Sequence, residues 1–316
     1  MLKIAFHPIY KHPLPEGHRF PMEKYDLLPK QLLYEGTCTE NNFFEPRISS
    51  EEKLKEHILK VHTSDYLENL KNLKIDKSAS RKIGFPLSEA LVKREHIITQ
   101  GTIDGCEFAL ENRIAMNIAG GTHHAYSDHG EAFCLLNDQA IGARFLLDNY
   151  GNDQKIPSQD RDIIEKILIV DLDVHQGNGT AEIFENDARI FTFSMHGAGN
   201  YPFKKEKSDL DIAVPDRSGD AIYLKKLKET LPQLIEKIKP DFIFYLCGVD
   251  ILQTDKLGRL NCTVKGCKER DRFVLQTCHD LKIPIQCSMG GGYSPEIKTI
   301  IEAHANTFRL AQEIYF

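Results

Sequence analysis

Acidic and histidine side chains alternate directly after one apolar run of the chain. Asp171, Asp173 and His175 follow the run KILIV and are separated by single apolar residues. An extended backbone points such alternate side chains to the same side. Two carboxylates and one imidazole suit Zn²⁺ or Fe²⁺ and leave coordination positions open for water and substrate. With Asp250 after the apolar run FIFYLCGV as a further carboxylate, the pattern predicts a catalytic metal site.

Other polar residues with chemical potential follow glycines. Gly120 and Gly121 precede the adjacent histidines His123 and His124, and the missing side chains let the backbone approach a ligand closely. An imidazole can accept a proton from water and return it to a leaving amine. Tyr293 follows three glycines, and its hydroxyl can donate to an oxyanion. A capping or turn role explains one such residue alone, but not several at the ends of successive strands.

The elements that must position these residues are short apolar runs alternating with amphipathic stretches. This alternation predicts an α/β fold with a mostly parallel sheet and helices on both faces. Ligands of such sheets bind beyond the carboxyl ends of the strands, where the polar residues lie. The predicted strands span residues 3–6, 113–119, 166–173, 189–195, 241–247 and 283–289.

The predicted helices carry capping signals and one-sided apolar patterns. Ser49 and Glu52 are expected to form a capping box at the start of a helix over 51–62. Asp220 is expected to cap a helix over 221–239. The leucines and isoleucines of that helix fall on one face, which favours packing against a core. Further helices are predicted over 101–112, 138–150, 268–281 and 295–315.

Length and composition are those of one globular domain. The chain has 316 residues, of which 41% are hydrophobic and 27% charged, so a single domain over residues 1–316 is expected. The polar segment 149–162 is predicted to be a surface loop. A formal charge of −6 argues against a general nucleic-acid or anionic-membrane surface, because phosphate binding needs clustered Lys and Arg.

The N-terminal residues and the cysteines indicate the compartment. The chain reaches His7 and Pro8 before a signal-peptide core can form, and no stretch approaches the roughly 18 apolar residues of a membrane span. The eight cysteines contain no Cys-x-x-Cys pair, which favours reduced, mostly buried thiols. A cytoplasmic protein is expected.

These motifs resemble those of the histone deacetylase superfamily, over nearly the whole chain, with class IV enzymes and their bacterial relatives closest. The resemblance implies an arginase/deacetylase-like fold and zinc-dependent hydrolysis of the acyl amide, chiefly acetyl, of lysine in proteins or peptides. It would release free lysine and a carboxylate. The motifs that carry it are HPLPEGHRFPMEKY (12–25), GGTHHAYSDHGEAFCLLND (120–138), DLDVHQGNGTAEIF (171–184), GVDILQTDKLGRL (248–260) and GGGYSPE (290–296).

The resemblance assigns a role to most of the candidate residues. His124 would be the principal general base and acid, and His123, oriented by Asp171, would hold and polarise water and substrate. Asn178 stands where class I enzymes carry an Asp that pairs with the second histidine. Tyr293 matches the tyrosine that stabilises the transition state. The implied zinc ligands are Asp173, His175 and Asp250.

The resemblance also implies substrate and structural-ion contacts. Phe133 and Tyr201 would form opposite walls of an acyl-lysine tunnel, with Gly121 and Gly291 lining its base. Arg19 matches an arginine of the internal channel below the metal. A structural potassium ion would be held by residues around Asp171, Asp173, His175, Ser194 and Met195.

Three alternatives to a lysine deacylase remain open from the sequence. An arginase-like ureohydrolase would need further carboxylates for a second metal. An acetylpolyamine amidohydrolase, acting on an acylated small amine, would use the same metal site, but Leu257 stands where polyamine-selective relatives carry an acidic residue. A non-catalytic acyl-lysine reader would tolerate loss of ligands or tyrosine, and none is lost. The rim Asp of class I enzymes has no match, and Ser88 or Glu89 are the candidates to replace it.

Overall fold

Eight strands form one sheet in which every neighbouring pair is parallel, in the order β2-β1-β3-β8-β7-β4-β5-β6. The computed structural model describes residues 1–152 and 163–316. The α/β fold with a parallel sheet is confirmed. The strands are β1 (Lys3–Ala5), β2 (Phe43–Phe44), β3 (Ile114–Asn117), β4 (Ile167–Asp171), β5 (Ile190–Gly197), β6 (Leu210–Val214), β7 (Phe242–Leu246) and β8 (Ile285–Ser288).

The central strands are buried on both sides of the sheet. Every residue of β4 and of β7 is buried, and successive side chains of a strand point to opposite faces. Both faces are therefore covered, as parallel sheets require. The six predicted strands are all present, whereas β2 and β6 were not predicted. β2 has two residues, and β6, at the edge of the sheet, is largely exposed or half-buried, so neither produces a long apolar run.

The helices of the described residues surround this sheet, and one of them is longer than predicted. α5 (Glu89–Asn112) begins twelve residues before the predicted start at Gly101 and contains two glycines, Gly101 and Gly105. Those glycines serve packing: a Cβ at Gly101 would lie 2.7 Å from the Tyr10 hydroxyl. The helices are α1 (Lys24–Tyr34), α2 (Glu51–Leu59), α3 (Ser64–Lys71), α4 (Lys77–Ile83), α5 (Glu89–Asn112), α6 (Asp138–Tyr150), α7 (Asn178–Phe184), α8 (Asp220–Ile238), α9 (Val264–Asp280) and α10 (Ile297–Tyr315).

Two predicted helix caps are wrong. α2 is capped by Ser50, whose side chain accepts the backbone N–H of Lys53, and not by Ser49. Asp220 is the first residue of α8 and does not cap it. Its carboxylate accepts instead from the backbone and hydroxyl of Thr263, which caps α9. A non-local contact between two helix starts thus replaces the local cap that the sequence suggested.

Other sequence expectations have mixed outcomes. The eight cysteines are free and buried, as predicted. Residues 153–162 of the predicted surface loop lie outside the described residues. Over the described ranges, no helix combines the length and the apolar character that a membrane crossing needs.

An ion pair joins the first and last helices, and its pH dependence is predictable. Arg309 of α10 donates from Nε and Nη2 to both oxygens of Glu35, at 2.8 and 2.6 Å. These hydrogen bonds, against the opposing effect of partial burial, lower the pKa of Glu35 to about 2. Because the folded-state pKa lies below the unfolded value, the stabilisation is complete above about pH 4.5 and is lost as the pH falls toward 2.

We therefore expect Glu35→Gln to lower the free energy of unfolding by about 1–2 kcal/mol at pH 7, since bidentate charge-assisted bonds exceed ordinary surface pairs. The difference from wild type should shrink below pH 4.5, as urea unfolding at several pH values would show. Glu302→Gln is the control, because Glu302 binds the same arginine but its side chain is 51% exposed. An equal loss in both variants, or a loss independent of pH, would contradict this account.

Candidate active site

The candidate residues lie at one edge of the sheet because their strands are neighbours. β3, β8, β7 and β4 are adjacent and parallel, so their carboxyl ends meet at one edge. The adjacent histidines follow β3, and Tyr293 with its preceding glycines follows β8. Asp250 follows β7, and Asp173 and His175 follow β4. The predicted convergence is therefore observed.

Two carboxylates and one imidazole form the deepest part of this site. One potential ligand atom from each of Asp173, His175 and Asp250 lies within 4.8 Å of the others, and all three residues are buried. His175 Nδ1 is 3.0 Å from Asp173 Oδ1 and 3.2 Å from Asp250 Oδ2. Asp250 Oδ2 has no hydrogen-bond partner. A buried carboxylate oxygen without a hydrogen bond, in a set of two oxygens and one nitrogen, fits a divalent metal ion.

The electrostatics of the three residues favour a cation between them. Burial, reinforced by the charge of Asp173, raises the pKa of Asp250 to about 7. Burial opposes protonation of His175, but the hydrogen bond to Asp173 and the negative charge of Asp250 outweigh it and raise the pKa of His175 to about 10. The two carboxylates thus favour positive charge at His175, and a metal ion between the three residues would supply that positive charge instead.

Glycines leave room for the carboxylates. Gly291 donates its backbone N–H to Asp173 Oδ2 at 2.9 Å, and a Cβ at this position would lie 2.0 Å from Asp250 Oδ2. A Cβ at Gly248 would lie 2.2 Å from Asp173 Oδ2. Gly121 has a φ of +74°, a backbone conformation that residues with a side chain rarely adopt. It lines the inner cavity beside the site, where it was predicted to lie. Any side chain at Gly291 would displace a ligand.

The two adjacent histidines have different partners. His123 Nδ1 donates to Asp171 Oδ2 at 2.6 Å, and His124 Nδ1 donates to Asn178 Oδ1 at 2.5 Å. The histidine ring centroids are 4.0 Å apart. The spacing argument placed Asp171 with Asp173 and His175 on one side of an extended strand, but β4 ends at Asp171, and among the described residues the group that could hold a metal ion is Asp173, His175 and Asp250.

These partners give the two histidines opposite pKa shifts. Burial lowers the pKa of His123, but Asp171 outweighs burial and raises it above the usual value. Burial, together with the nearby His123 and His175, holds the pKa of His124 well below its usual range. At neutral pH His124 is therefore uncharged, with its proton on Nδ1 and its Nε2 free to accept another.

A polar chain behind His124 was not predicted from the sequence. Asn178 Nδ2 donates to the Tyr126 hydroxyl at 3.0 Å, and that hydroxyl donates to Glu206 at 3.3 Å. This chain fixes the orientation of the Asn178 amide, so that its oxygen faces His124. Tyr126 directly follows the motif GGTHHA, which was the one available signal, but Glu206 is 80 residues away in sequence.

A tunnel leads from the surface to this site. An outer cavity of about 510 Å³ and a smaller inner cavity of about 40 Å³ share Phe133, Tyr293, His124 and His175 as lining residues. Tyr201 lines the outer cavity and places its ring 5.1 Å from that of His124. The predicted wall residues therefore flank the approach to the site.

Lys24 is a buried residue of the site that the sequence argument missed. Its ammonium donates to the Gly290 carbonyl at 3.0 Å and lies 5.7 Å from the Tyr293 ring centroid. Burial lowers the pKa of Lys24 to about 8. The backbone N–H of Tyr293 donates to Asp255 at 2.6 Å. Lys24 and Asp255 thus hold the segment that presents Tyr293, and only the position of Lys24 inside the motif MEKY hinted at this.

Three predictions about the channel and rim need correction. Arg19 was expected in an internal channel, but it is exposed and lines the outer cavity. The arginine that lines the inner cavity is the buried Arg94. Ser88 caps α5, and neither Ser88 nor Glu89 lines either cavity. The path of a loop, which spacing does not determine, decides each of these positions.

The residues suggested for potassium lie side by side. Asp171 and Ser194 are partners in the register of β4 and β5. The Ser194 hydroxyl is 3.0 Å from His196 Nδ1, and Met195 is fully buried. The structure thus brings this predicted group together next to His123.

Comparisons with known proteins agree with this geometry. The histone deacetylase domain model matches residues 18–308. An uncharacterized protein of Picosynechococcus sp. is 40% identical, over 99% of both chains. Histone deacetylase 2 of Arabidopsis thaliana is 28% identical over 90% of this chain and 72% of its own, and the acetoin utilization protein AcuC of Staphylococcus aureus is 27% identical over 87% and 70%.

The fold has a counterpart among solved structures. The crystal structure of the HDA15 HD domain covers 99% of this chain and 88% of its own, with a TM-score of 0.78 at 20% identity. The fold is thus the arginase-like α/β fold of histone deacetylases. Given the domain match over most of its length, the chain belongs to the histone deacetylase family.

We predict that Asp250→Asn abolishes tight binding of a divalent metal ion, because the neutral amide removes one of the two charges that attract the ion. With zinc as the probe ion, the metal content after dialysis should fall from about one ion per chain to a small fraction. Added zinc should raise the melting temperature of the wild type but not of the variant. Asp280→Asn, at a side chain that is 62% exposed, is the control. Unchanged zinc content in Asp250→Asn would show that the ion binds elsewhere.

Proposed function

We propose that this chain is a zinc-dependent lysine deacylase, acting as one catalytic domain over residues 1–316. The reaction is hydrolysis of the amide of Nε-acyl-lysine, chiefly acetyl-lysine, in proteins or peptides, giving free lysine and a carboxylate. The observation that carries the proposal is the pair of adjacent histidines, with His123 hydrogen-bonded to Asp171 and His124 to Asn178, next to the carboxylate–imidazole set at the base of a tunnel. Membership of the histone deacetylase family supports it.

The zinc ion would be held by Asp173, His175 and Asp250. When bound, it supplies Lewis-acid polarisation of the amide carbonyl and lowers the pKa of a water molecule toward about 7. Fe²⁺ suits the same donors. A structural potassium ion beside Asp171, Ser194 and Met195 is a second part of the proposal, supported by their adjacency.

The protein groups divide the proton transfers and the charge stabilisation. His124 Nε2 takes the proton of the attacking water and delivers it to the departing lysine nitrogen, because its low pKa keeps it neutral before the reaction. His123, whose pKa Asp171 raises, is held by that carboxylate and orients and polarises the water and the substrate. The Tyr293 hydroxyl donates to the oxyanion that develops on the carbonyl oxygen.

The shape of the tunnel favours an acyl-lysine substrate. Phe133 and Tyr201 flank the approach, and aromatic walls suit the apolar methylene chain of lysine. An acetylpolyamine is the second candidate, since it would use the same catalytic groups. Leu257, a half-buried apolar residue, lines the outer cavity and offers no charge to a distant ammonium group. A non-catalytic acyl-lysine reader is the third.

We expect Tyr293→Phe to lower kcat for acetyl-lysine peptides by about 100-fold to 1000-fold, because an oxyanion donor is lost while the ring remains. Release of free lysine amine should be measured for acetyl, propionyl, butyryl and longer acyl peptides and for acetylputrescine, with and without a zinc chelator. Tyr34→Phe is the matched control, since Tyr34 is 92% exposed.

The outcomes separate the three candidates. Chelator-sensitive peptide turnover that collapses only in Tyr293→Phe supports the deacylase. Turnover of acetylputrescine alone would move the assignment to acylated polyamines. Binding of acyl-lysine peptides without any turnover would identify a reader.

We also predict that Asn178→Asp moves the acidic limb of the pH profile of kcat/KM to higher pH. A carboxylate at Asn178 Oδ1 would stabilise the protonated form of His124 and raise its pKa, so a higher pH would be needed to free the base. Asn41→Asp adds the same charge at an exposed position away from the site and should leave the profile unchanged. An unmoved limb in Asn178→Asp would exclude His124 as the titrating base.

A further inference from the structure

Positive charge dominates the mouth of the tunnel. The outer cavity is lined by three cationic side chains, Arg19, Lys82 and Arg259, and by one carboxylate, Glu131. All three cations are exposed, and the largely exposed ring of Phe203 lies among them. The chain as a whole carries a formal charge of −6, so this local excess of cations runs against the overall balance. A substrate must pass these groups before its acyl chain enters the tunnel.

The one carboxylate of the mouth is already paired. Glu131 accepts from the Tyr201 hydroxyl and lies 3.6 Å from His129 Nε2 and 3.8 Å from the Lys82 ammonium. Only 14% of the Glu131 side chain is exposed. Hydrogen bonding to His129, against the effect of burial, lowers the pKa of Glu131. Glu131 therefore stays ionised, but its oxygens are committed to the wall and do not offer a free site for a cationic substrate.

Arg19 is the cation whose charge is least compensated. Its guanidinium lies over the ring of Phe133, with the central carbon 5.0 Å from the ring centroid, and stacking of this kind orients the guanidinium plane. Within the described ranges, no carboxylate of the chain lies within 4 Å of it. Arg259, by contrast, pairs with Asp216 at 3.3 Å. Arg19 thus presents donors beside the wall that the lysine chain would pass.

We infer that the mouth binds a carboxylate carried by the lysine half of the substrate, with Arg19 as the specificity-determining residue. The inference rests on the proposed deacylase function, because it concerns the part of the substrate that stays outside the tunnel. The carboxylate has two sources, an Asp or Glu beside the acyl-lysine in a peptide, or the α-carboxylate of free Nε-acyl-lysine. A guanidinium binds either through paired N–H donors. Polycationic amines are disfavoured by the same charge.

The expected effect is moderate because Arg19 is exposed. Neighbouring residues of an extended peptide are about 3.3–3.6 Å apart, so a residue next to the acyl-lysine stays near the mouth. An exposed charge pair with a stacked, oriented arginine should favour an acidic peptide about threefold to tenfold over its neutral isostere. The preference should weaken between low and high salt, because salt screens exposed charges.

The test measures binding, so that it does not depend on turnover. Zinc-loaded Tyr293→Phe protein is titrated with fluorescent acetyl-lysine peptides that differ only in Glu or Gln on both sides of the acetyl-lysine, and anisotropy gives Kd at 50 and about 300 mM salt, which spans strong to weak screening. Free Nε-acetyl-lysine and its C-terminal amide compete in separate arms. The same titrations are made after adding Arg19→Gln, and after adding Arg47→Gln, which changes the charge equally at an exposed arginine outside the mouth.

The inference predicts that the Glu peptide binds more tightly, that Arg19→Gln removes the preference, and that Arg47→Gln retains it. Stronger competition by free acetyl-lysine than by its amide, with no difference between the peptides, would assign the carboxylate to the amino acid itself. Equal affinities in every arm, or a preference that survives in Arg19→Gln, would overturn the inference. Acid-selective binding without turnover by the Tyr293-containing enzyme would contradict the proposed function alone.

Discussion

Two carboxylates buried within reach of each other form the constraint on which the site depends. Asp173 and Asp250 lie in an interior where like charges repel strongly and solvation is weak. The chain answers with backbone donors: Val174 N–H donates to Asp250 Oδ1 at 2.9 Å and Gly291 N–H donates to Asp173 Oδ2 at 2.9 Å. These bonds orient the oxygens but do not cancel two charges. A divalent ion between the two carboxylates would cancel them, and Gly248 and Gly291 leave the carboxylates the space that a side chain would fill.

A buried arginine holds the strand ends that carry these carboxylates. Arg270, fully buried on α9, donates to the carbonyls of Leu172, Cys247 and Gly248. It thereby joins the segments after β4 and β7. Its charge is balanced by Asp271, which also accepts from the Tyr245 hydroxyl. Because one guanidinium bonds to the carbonyls of both segments, it keeps the ligand-bearing segments at a fixed separation. Removing one partner of such a buried network costs much stability.

The sequence predicted the parts of the site that follow directly from strands. The metal-binding group, both histidines and Tyr293 come within a few residues of buried apolar runs, so strand order alone brings them together. Arg270, Lys24 and Glu206 could not be predicted in this way, because each contributes through a partner far away in sequence. Arg19 was misplaced for a related reason: a motif fixes its neighbours along the chain but not the path of the loop that carries it.

The neutral amide of Asn178 explains how two adjacent histidines can have separate tasks. Their ring centroids are 4.0 Å apart, so two imidazolium ions would repel each other in a medium that screens poorly. Asp171 offers its charge to His123 and raises the pKa of that imidazole. Asn178 offers only a carbonyl oxygen to His124, which fixes the tautomer without paying for a second positive charge. A carboxylate at both positions would stabilise the protonated form of His124 as well, so that a higher pH would be needed to free its Nε2.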